Sequence, residues 1–170
     1  MVWRDTNMFD FRPDSIADFL FAEAAAIDEQ RWDDWLDFFS PNVEYWIPAW
    51  NGEHELVDDP NSQISLIYYS SRSGLEDRIF RLRLKQSSAS IPMPRTCHMV
   101  SNIRTSKVDD RHCGVAANWQ THSYRFDETT TFFGHYSYLL AREGEKLLIE
   151  KKKIVVLNDL IPTVLDIYNV

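Results

Sequence analysis

The sequence predicts an α+β domain in which helices come first and a long-strand sheet follows. Apolar residues recur at helical spacing in residues 14–39 and 75–82, whereas residues 96–157 consist of long strand-like runs. Short turns join these runs, and long strands joined by short turns pair antiparallel. Helices that precede such a sheet pack on one of its faces, as in α+β domains generally.

The length of 170 residues is that of one domain. We divide it into an N-terminal arm (1–12), a mainly helical part (13–85), a long-strand sheet (95–160) and a C-terminal tail (161–170). Aromatic residues make up 14% of the chain. This is more than a small monomer requires and favours an oligomer, with a large aromatic core as the alternative.

Two helices are predicted before the first strand. The first begins near Asp14 or Ser15, just after Pro13, and Asp18 is placed to complete a capping box. Its buried stripe is expected to contain Ile16, Leu20, Ala24 and Ile27. The second lies in residues 31–39 and is ended by Pro41. Its stripe is expected to contain Trp32, Trp35, Leu36 and Phe39.

The first strand is predicted in residues 43–50, with Pro48 restricting it to a sheet edge or to its own end. Asp59 then caps a short apolar helix that runs from Pro60 to Tyr69. A further helix has a capping box of Ser73 and Glu76. Its buried stripe is expected to contain Leu75, Ile79 and Leu82.

Four long strands are predicted after a proline-containing loop at 87–94. They occupy residues 96–107, 112–126, 131–141 and 146–157.

The charge of the chain is acidic and unevenly distributed. The net charge of −8 argues against nucleic acid, whose phosphates require a basic surface. Residues 1–60 carry 15 acidic and 3 basic residues, a net charge of −12, whereas residues 61–170 have a net charge of +4. Opposite charges on the two halves would suit head-to-tail packing in a ring. A solvated acidic helical layer beside a more basic sheet is the alternative.

The sequence predicts a soluble, cytoplasmic protein. It has two cysteines, no secretory leader and no apolar run long enough to cross a bilayer.

Motifs for cofactor and nucleophile chemistry are missing from the sequence. A Rieske cluster needs two Cys and two His in paired short spacings, but Cys97–His98 and His112–Cys113 are adjacent pairs. Adjacent strand residues face opposite sides of a sheet and cannot chelate one metal together. Neither a G-x-G turn for a dinucleotide nor a G-x-S-x-G elbow is present. We therefore expect no catalytic, cofactor-binding or metal-binding residue in this chain.

A series of short motifs occurs in a fixed order between residues 45 and 103. The motifs are a Tyr-x-x-Pro-Ala-Trp strand at 45–50, Asp58-Asp59-Pro60, the run 64–69, Gly74-Leu75-Glu76-Asp77-Arg78, Arg95-Thr96, His98 and Ser101-Asn102. The closing segment 151–170 adds a further match. Together they closely resemble the small (β) subunit of aromatic-ring-hydroxylating dioxygenases, above all its benzoate and anthranilate dioxygenase branch. The resemblance covers nearly the whole chain.

This resemblance implies a cone of the nuclear-transport-factor type, in which a curved antiparallel or mixed sheet wraps round the N-terminal helices. It implies a non-catalytic small subunit that scaffolds the large oxygenase subunits in a three-plus-three complex, with the small subunits forming a trimer. The Rieske cluster and mononuclear iron would belong to the large subunit, and NADH would supply electrons through a separate reductase. Kinship suggests an aromatic carboxylate as the substrate.

A stand-alone acid–base enzyme of the same fold, an isomerase or a dehydratase, is the alternative function. Its pocket could draw on Asp34, Tyr45, His98 and His135. A histidine on a strand is more often a hydrogen-bonded structural residue, which weakens this alternative. A free-standing module that binds small molecules explains none of the motifs.

Aromatic and basic residues that precede the long strands are predicted to form subunit contacts. They are Trp46, Trp50, Tyr68, Tyr69, Arg78 and Arg81. Trp46 and Trp50 share a strand face if the strand stays regular beyond Pro48, and packing in the core is the alternative. The other four are suited to contacts with the large subunit.

Three consecutive cations, Lys151, Lys152 and Lys153, lie within the last long strand. Because strand residues alternate between faces, a regular strand turns at least one lysine towards the helices. A buried ammonium needs an acidic partner. We expect a carboxylate of the helical layer, with Asp33, Asp34 and Asp37 as candidates, or one from a neighbouring subunit. A bulge or strand end that leaves all three in water is the alternative.

Overall fold

Six strands form one mixed sheet, and three helices lie on its inner side. The computed structural model describes residues 11–84, 90–162 and 164–170. The helices are α1 (Pro13–Asp28), α2 (Trp32–Leu36) and α3 (Arg72–Arg83). The strands are β1 (Phe39–Pro48), β2 (Ser65–Tyr69), β3 (Arg95–Lys107), β4 (His112–Arg125), β5 (Glu128–Glu143) and β6 (Lys146–Val156). A 3-10 turn, Ile167–Asn169, follows them.

The strand order is β2-β1-β6-β5-β4-β3. Strands β1 and β6 run parallel, and every other neighbouring pair is antiparallel. The predicted α+β class and the meander of four long strands are confirmed, with boundaries within three residues of those expected. No helix in the described part of the chain is long and apolar enough to cross a membrane. The predicted arm falls largely on residues 1–10 and the predicted loop partly on 87–89, outside the described residues.

Helix α1 packs through the stripe that its sequence predicts. Its four predicted residues are buried: Ile16, Leu20, Ala24 and Ile27. Its start differs from the prediction, because the helix begins at Pro13 with Arg12 as its N-cap and without a side-chain cap. The expected capping box with Asp18 is therefore wrong. Proline suits the first helical position because its missing N–H would have no helical acceptor there.

Helix α2 is shorter than predicted, because Phe39 and Pro41 belong to β1. Phe39 is fully buried and pairs with Ile149 of β6. Pro41 lies in the stretch where the β1–β6 register shifts, between Phe39 and Glu44. A proline is tolerated at such an irregularity because it has no N–H to donate to the ladder.

The predicted helix from Pro60 to Tyr69 is wrong. Asp59 does cap a single turn, since its carboxylate accepts hydrogen bonds from the Asn61 backbone N–H (2.9 Å) and the Ser62 hydroxyl (2.7 Å). Residues 65–69 then form β2, in which Tyr69 pairs with Tyr45 of β1. Pairing with a distant strand overrides the local helical signal.

Helix α3 buries its predicted stripe of Leu75, Ile79 and Leu82. Its predicted capping box is wrong, because Ser71 is the N-cap and makes no side-chain cap bond. Glu76 instead forms an ion pair with Arg72 at 2.9 Å, one helical turn away.

A buried ion pair joins α1 to the sheet. The pairing of β5 with β6 contains a bulge: Leu139 pairs with Lys151, but the next residue, Leu140, pairs with Ile149. The alternation of buried and exposed residues along β6 therefore changes at this point. Lys152 consequently faces inward, and its Nζ lies 2.8 Å from Oε1 of Glu23 on α1. Both side chains are at most 3% exposed. The predicted pairing of one lysine with the helical layer is confirmed, but the three proposed aspartates are not its partner.

A second polar contact fixes the end of α1 to the edge strand β3. The Asp28 carboxylate accepts hydrogen bonds from the Thr96 hydroxyl (2.8 Å), the His98 backbone N–H (2.8 Å) and His98 Nδ1 (2.6 Å). Burial acts to raise the pKa of Asp28, but the hydrogen bonds and charge of His98, with the Thr96 hydroxyl, hold it below its ordinary 3.8. Since Glu23 reaches β6 and Asp28 reaches β3, the sheet curls round α1.

We expect Lys152→Met to lower the free energy of unfolding by about 3–5 kcal/mol, because it leaves the Glu23 carboxylate buried without its cation. Urea denaturation of this variant, Glu23→Gln and the double variant should give a coupling energy above about 1 kcal/mol. The matched control is Lys151→Met, whose exposed ammonium lies 3.4 Å from Glu44 and should matter by at most about 0.5 kcal/mol. Equal small losses at both lysines would contradict the pair's role.

We expect Asp28→Asn to lower the free energy of unfolding by about 2 kcal/mol at pH 7, because a charged acceptor of three hydrogen bonds is lost. The folded-state pKa of Asp28 is depressed, so its contribution is complete above pH 3.8 and disappears as the pH falls through the folded-state value. Melting temperatures of both proteins between pH 2.5 and 7 should converge below pH 3.8. A constant difference across this range would contradict the assignment.

Candidate functional site

The inside of the curled sheet is a candidate site because it brings buried polar side chains together. The Lys152 ammonium, besides its bond to Glu23, lies 4.7 Å from the ring centroid of Tyr136, 5.5 Å from that of Tyr138 and 6.0 Å from that of Tyr45. The Trp35 indole N–H donates to the same Glu23 oxygen at 2.8 Å. Paired charge and aromatic rings thus fill the inside of the curled sheet.

The tyrosines of this cluster are not suited to proton transfer near neutral pH. Burial, together with the negative charge of Glu23, raises the pKa values of Tyr45, Tyr136 and Tyr138 well above 10. A general acid or base works best when its pKa lies near the working pH. These phenols therefore stay protonated, and their contribution is packing and stabilisation of the Lys152 charge.

Asp28 and His98 form the arrangement that most resembles an acid–base dyad. The carboxylate orients the imidazole through Nδ1, as in catalytic His–Asp pairs. The His98 side chain is only 3% exposed, and its Nε2 has no partner among the described residues. Because this nitrogen is buried, it cannot contact a substrate. The contact between Asp28 and His98 instead holds α1 against β3.

Two surface cavities do not lead to these groups. The larger, about 490 Å³, lies at the β3 bulge, where Asn102 adopts φ 53°, and is lined by Asn102, Ile103, Arg104 and Asn118. The smaller, about 80 Å³, is lined by Phe19, Asp34, Asp37, Phe38, Lys146, Leu147 and Leu148. Neither is lined by His98 or by the tyrosines around Lys152, so neither forms an acid–base pocket.

The four residues named for an acid–base pocket do not converge. Asp34 is exposed and pairs with Arg31 at 2.7 Å. His135 is exposed on the outer face of the sheet, where its Nδ1 lies 3.1 Å from Asn118 Oδ1. Tyr45 and His98 are on the inner side. The sheet separates His135 from Tyr45 and His98, and Asp34 is held at the surface by Arg31, so the four residues do not form the pocket of the alternative acid–base enzyme.

The side chains that could ligate iron are dispersed. Cys97 is exposed and lies opposite His122 near the start of β3, whereas the buried Cys113 lies opposite Lys107 at its end. His112 bonds to Asp109 through Nδ1 at 2.8 Å. Within the described ranges, no three His, Cys, Asp or Glu side chains have the geometry of a metal site. These residues do not fit the two-Cys, two-His ligand set of a Rieske cluster.

The two tryptophans predicted at a subunit interface differ in exposure. Trp46 is buried, because Lys153 covers its ring at 4.5 Å and its indole N–H donates to the Ser65 hydroxyl. Trp50 is 38% exposed, and its indole N–H donates to the Val156 carbonyl at 2.8 Å. Strand β1 ends at Pro48, so the regular strand assumed for a shared face does not extend to Trp50.

The other four predicted contact residues lie on β2 and α3. Tyr68 is half-buried opposite Trp46, and Tyr69 packs with Tyr45 at a centroid distance of 6.3 Å. The Arg78 guanidinium forms a bidentate ion pair with Asp166, next to the buried C-terminal turn. Arg81 is exposed and bonds only weakly to a backbone carbonyl of its own helix.

The residues that hold the interior together, Glu23 and Asp28, were not identified from the sequence. A signal for Glu23 was present, because position 23 continues the stripe of Ile16, Leu20 and Ile27 at helical spacing. An acid on a buried stripe predicts a buried partner. Asp28 follows the same stripe by one position and carried no comparable signal.

Comparison with known proteins gives a consistent result. The model of the family described as "Ring hydroxylating beta subunit" matches residues 22–163. The toluate 1,2-dioxygenase subunit beta of Pseudomonas putida is 43% identical over 157 residues, 92% of this chain and 97% of that protein. The benzoate 1,2-dioxygenase subunit beta of Acinetobacter baylyi is 40% identical, over 92% of this chain and 93% of its own length.

Solved structures agree with the sequence comparison. The beta subunit of benzoate 1,2-dioxygenase from Burkholderia mallei superposes with a TM-score of 0.79 and 34% identity, covering 96% of this chain and 99% of that one. A hexachlorocyclohexane dehydrochlorinase has a TM-score of 0.61 at 13% identity, covering 89% and 90%, and shares the fold alone. The predicted cone fold is thereby confirmed, and the chain belongs to the family of ring-hydroxylating dioxygenase beta subunits.

Proposed function

We propose that the chain is the non-catalytic small subunit of the terminal oxygenase of a multicomponent, NADH-dependent Rieske non-haem iron dioxygenase. The observation that carries this proposal is the filled interior. In this chain a paired Lys152 and Glu23, surrounded by tyrosine rings, occupy the space inside the cone. A family of small oxygenase subunits implies a large oxygenase subunit as the partner.

The physical contribution of such a subunit is to hold its partners at fixed separations. A continuous core runs through the inner face, and two polar contacts fasten α1 to both β6 and β3. A rigid, close-packed subunit keeps its contact surfaces at fixed distances from one another, so the partners bound to them are also held at fixed distances. We propose that it does so as a trimer in a three-plus-three complex. Support comes from the aromatic content and from the net charges of −12 and +4 on residues 1–60 and 61–170.

The proposed substrate is an aromatic carboxylate, oxidised in the breakdown of aromatic compounds. The named relatives act on toluate and benzoate, which share a carboxylate on an aromatic ring. The chain contributes no substrate contact in this proposal. The Rieske cluster and the mononuclear iron are assigned to the large subunit, electrons reach them from NADH through a reductase, and the complex is cytoplasmic.

The proposed subunit contacts are made by Trp50 and Arg81, which are exposed, and by the half-buried Tyr68. Trp46, Tyr69 and Arg78 make their main contacts within the chain, so they would support an interface by positioning their neighbours rather than by touching a partner.

We expect the purified chain to show no dioxygenase activity and no stoichiometric iron, and to restore turnover when it is combined with its large subunit. Oxygen uptake with NADH, the reductase and benzoate, toluate or anthranilate measures turnover, and elemental analysis measures iron. The large subunit without this chain is the control. One iron per chain, lost on replacement of a single histidine, would overturn the proposal, as would turnover by this chain alone.

We expect the chain to form a trimer of about three times its 20.0 kDa mass. Light scattering at micromolar concentration and moderate salt measures this mass. Rising salt should weaken a trimer that depends on the opposite charges of the two halves, because exposed charges are screened. A mass near that of one chain, both alone and in the presence of the large subunit, would contradict the proposed trimer.

A further inference from the structure

The hairpin that joins β4 to β5 has an unfavourable residue at its tip. Arg125 pairs with Glu128, so Phe126 and Asp127 form a two-residue turn, with φ 53° and 61°. Turns of this kind favour glycine, asparagine and aspartate because both positions need positive φ. A bulky side chain in this region is uncommon and strained. Strain of this kind is retained mainly where the residue has a function.

The Phe126 side chain is held in a position exposed to solvent. It is 69% exposed, and the Arg125 guanidinium lies over its ring at 4.4 Å. Arg125 also donates to the Ile91 carbonyl at 2.8 Å, and the Tyr124 hydroxyl donates to Asp127 at 3.0 Å. These contacts fix the end of β4 and the turn. An exposed aromatic side chain on a fixed support loses little entropy on binding and is suited to anchor an interface.

Other exposed apolar side chains lie at the same end of the sheet. Strands β4 and β6 end here, and β5 begins here. Because β1 runs parallel to β6, it also ends here, and the antiparallel β2 begins here. We call this surface the apolar end, and it consists of Trp50, Ile64, Leu66, Phe126, Phe133 and Leu160. Part of it is contiguous, because Trp50 bonds to the Val156 carbonyl and the next residue, Leu157, bonds to the Phe133 carbonyl. Exposed apolar side chains gathered at one end of a sheet are typical of a contact site.

The opposite end of the sheet has a different character. The turns between β3 and β4 and between β5 and β6 carry charged residues: Lys107, Asp109, Asp110, Arg111, Glu143, Glu145 and Lys146. Val108 is an exposed apolar residue in this region, at 59%. Charged residues are exposed at both ends, since Asp127, Glu128 and Asp159 lie at the apolar end, but the exposed large apolar side chains are concentrated at the apolar end.

We infer that the apolar end docks onto the large oxygenase subunit, with Phe126 inserted into an apolar socket of that subunit. A second copy of this chain is a poorer occupant, because its cavity of about 490 Å³ is lined mainly by asparagine and arginine, and the one that has apolar lining residues measures only about 80 Å³. The large subunit is the partner that the family implies. This inference rests on the proposed function and assigns the surface that performs it.

Phe126→Gly provides a sharp test, because glycine adopts positive φ without strain. The variant chain should melt at the same temperature as the wild type or higher. Its dissociation constant for the large subunit encoded in the same genome, measured by biolayer interferometry, should rise at least about tenfold. Phe126→Tyr keeps the ring and should bind within about threefold of wild type. Trp50→Ala, at the same end, should weaken binding without changing the mass of the isolated chain.

The matched control is Val108→Ser, which removes an exposed apolar side chain from a turn at the opposite end of the sheet and should change neither property. Wild-type affinity in Phe126→Gly would overturn the inference, and so would a fall in melting temperature that accounts for the lost affinity. Dissociation of the chain's own oligomer by this variant would identify a second copy as the occupant and also overturn it. If the wild-type chain does not bind the large subunit, the proposed function itself fails.

Discussion

The rest of the structure depends on the buried pair of Glu23 and Lys152. Two charges that are almost fully removed from water are tolerated only when each has the other as a close partner. This requirement determines the position of α1 against the sheet, and it requires the β5–β6 bulge that turns Lys152 inward. It also places three tyrosine rings around the ammonium, whose hydration they partly replace.

The same pair explains how a fold shared with a dehydrochlorinase can occur in a chain whose interior is filled. A cone that hosts a reaction needs an accessible cavity and a group that changes protonation near neutral pH. Here the interior is packed with aromatic rings whose phenols stay protonated, and the imidazole that Asp28 orients, that of His98, has a buried Nε2. The exposed surface differs from this interior, because large apolar side chains are concentrated at one end of the sheet.

Elements whose burial pattern lies within one segment agree with their prediction, whereas an element that depends on a distant strand does not. The stripe of α1 and the four long strands were predicted correctly, because helical and strand periodicities report burial within one element. A helix over residues 60–69 was wrong, because β2 exists only through its pairing with β1. In the candidate site, an acidic partner for a lysine was predicted correctly, but Glu23 was not identified although it lies on the stripe.

The sequence by itself determined the family, the α+β class and the need for a buried lysine to find an acid. These follow from local order: short motifs, the spacing of apolar residues and the alternation along a strand. Tertiary structure alone decided which lysine turns inward, which carboxylate receives it, and that Phe126 stands exposed at a hairpin tip while Trp46 is covered. Each of these depends on a bulge, a strand register or a distant neighbour, whose free energy arises only when separate segments pack together.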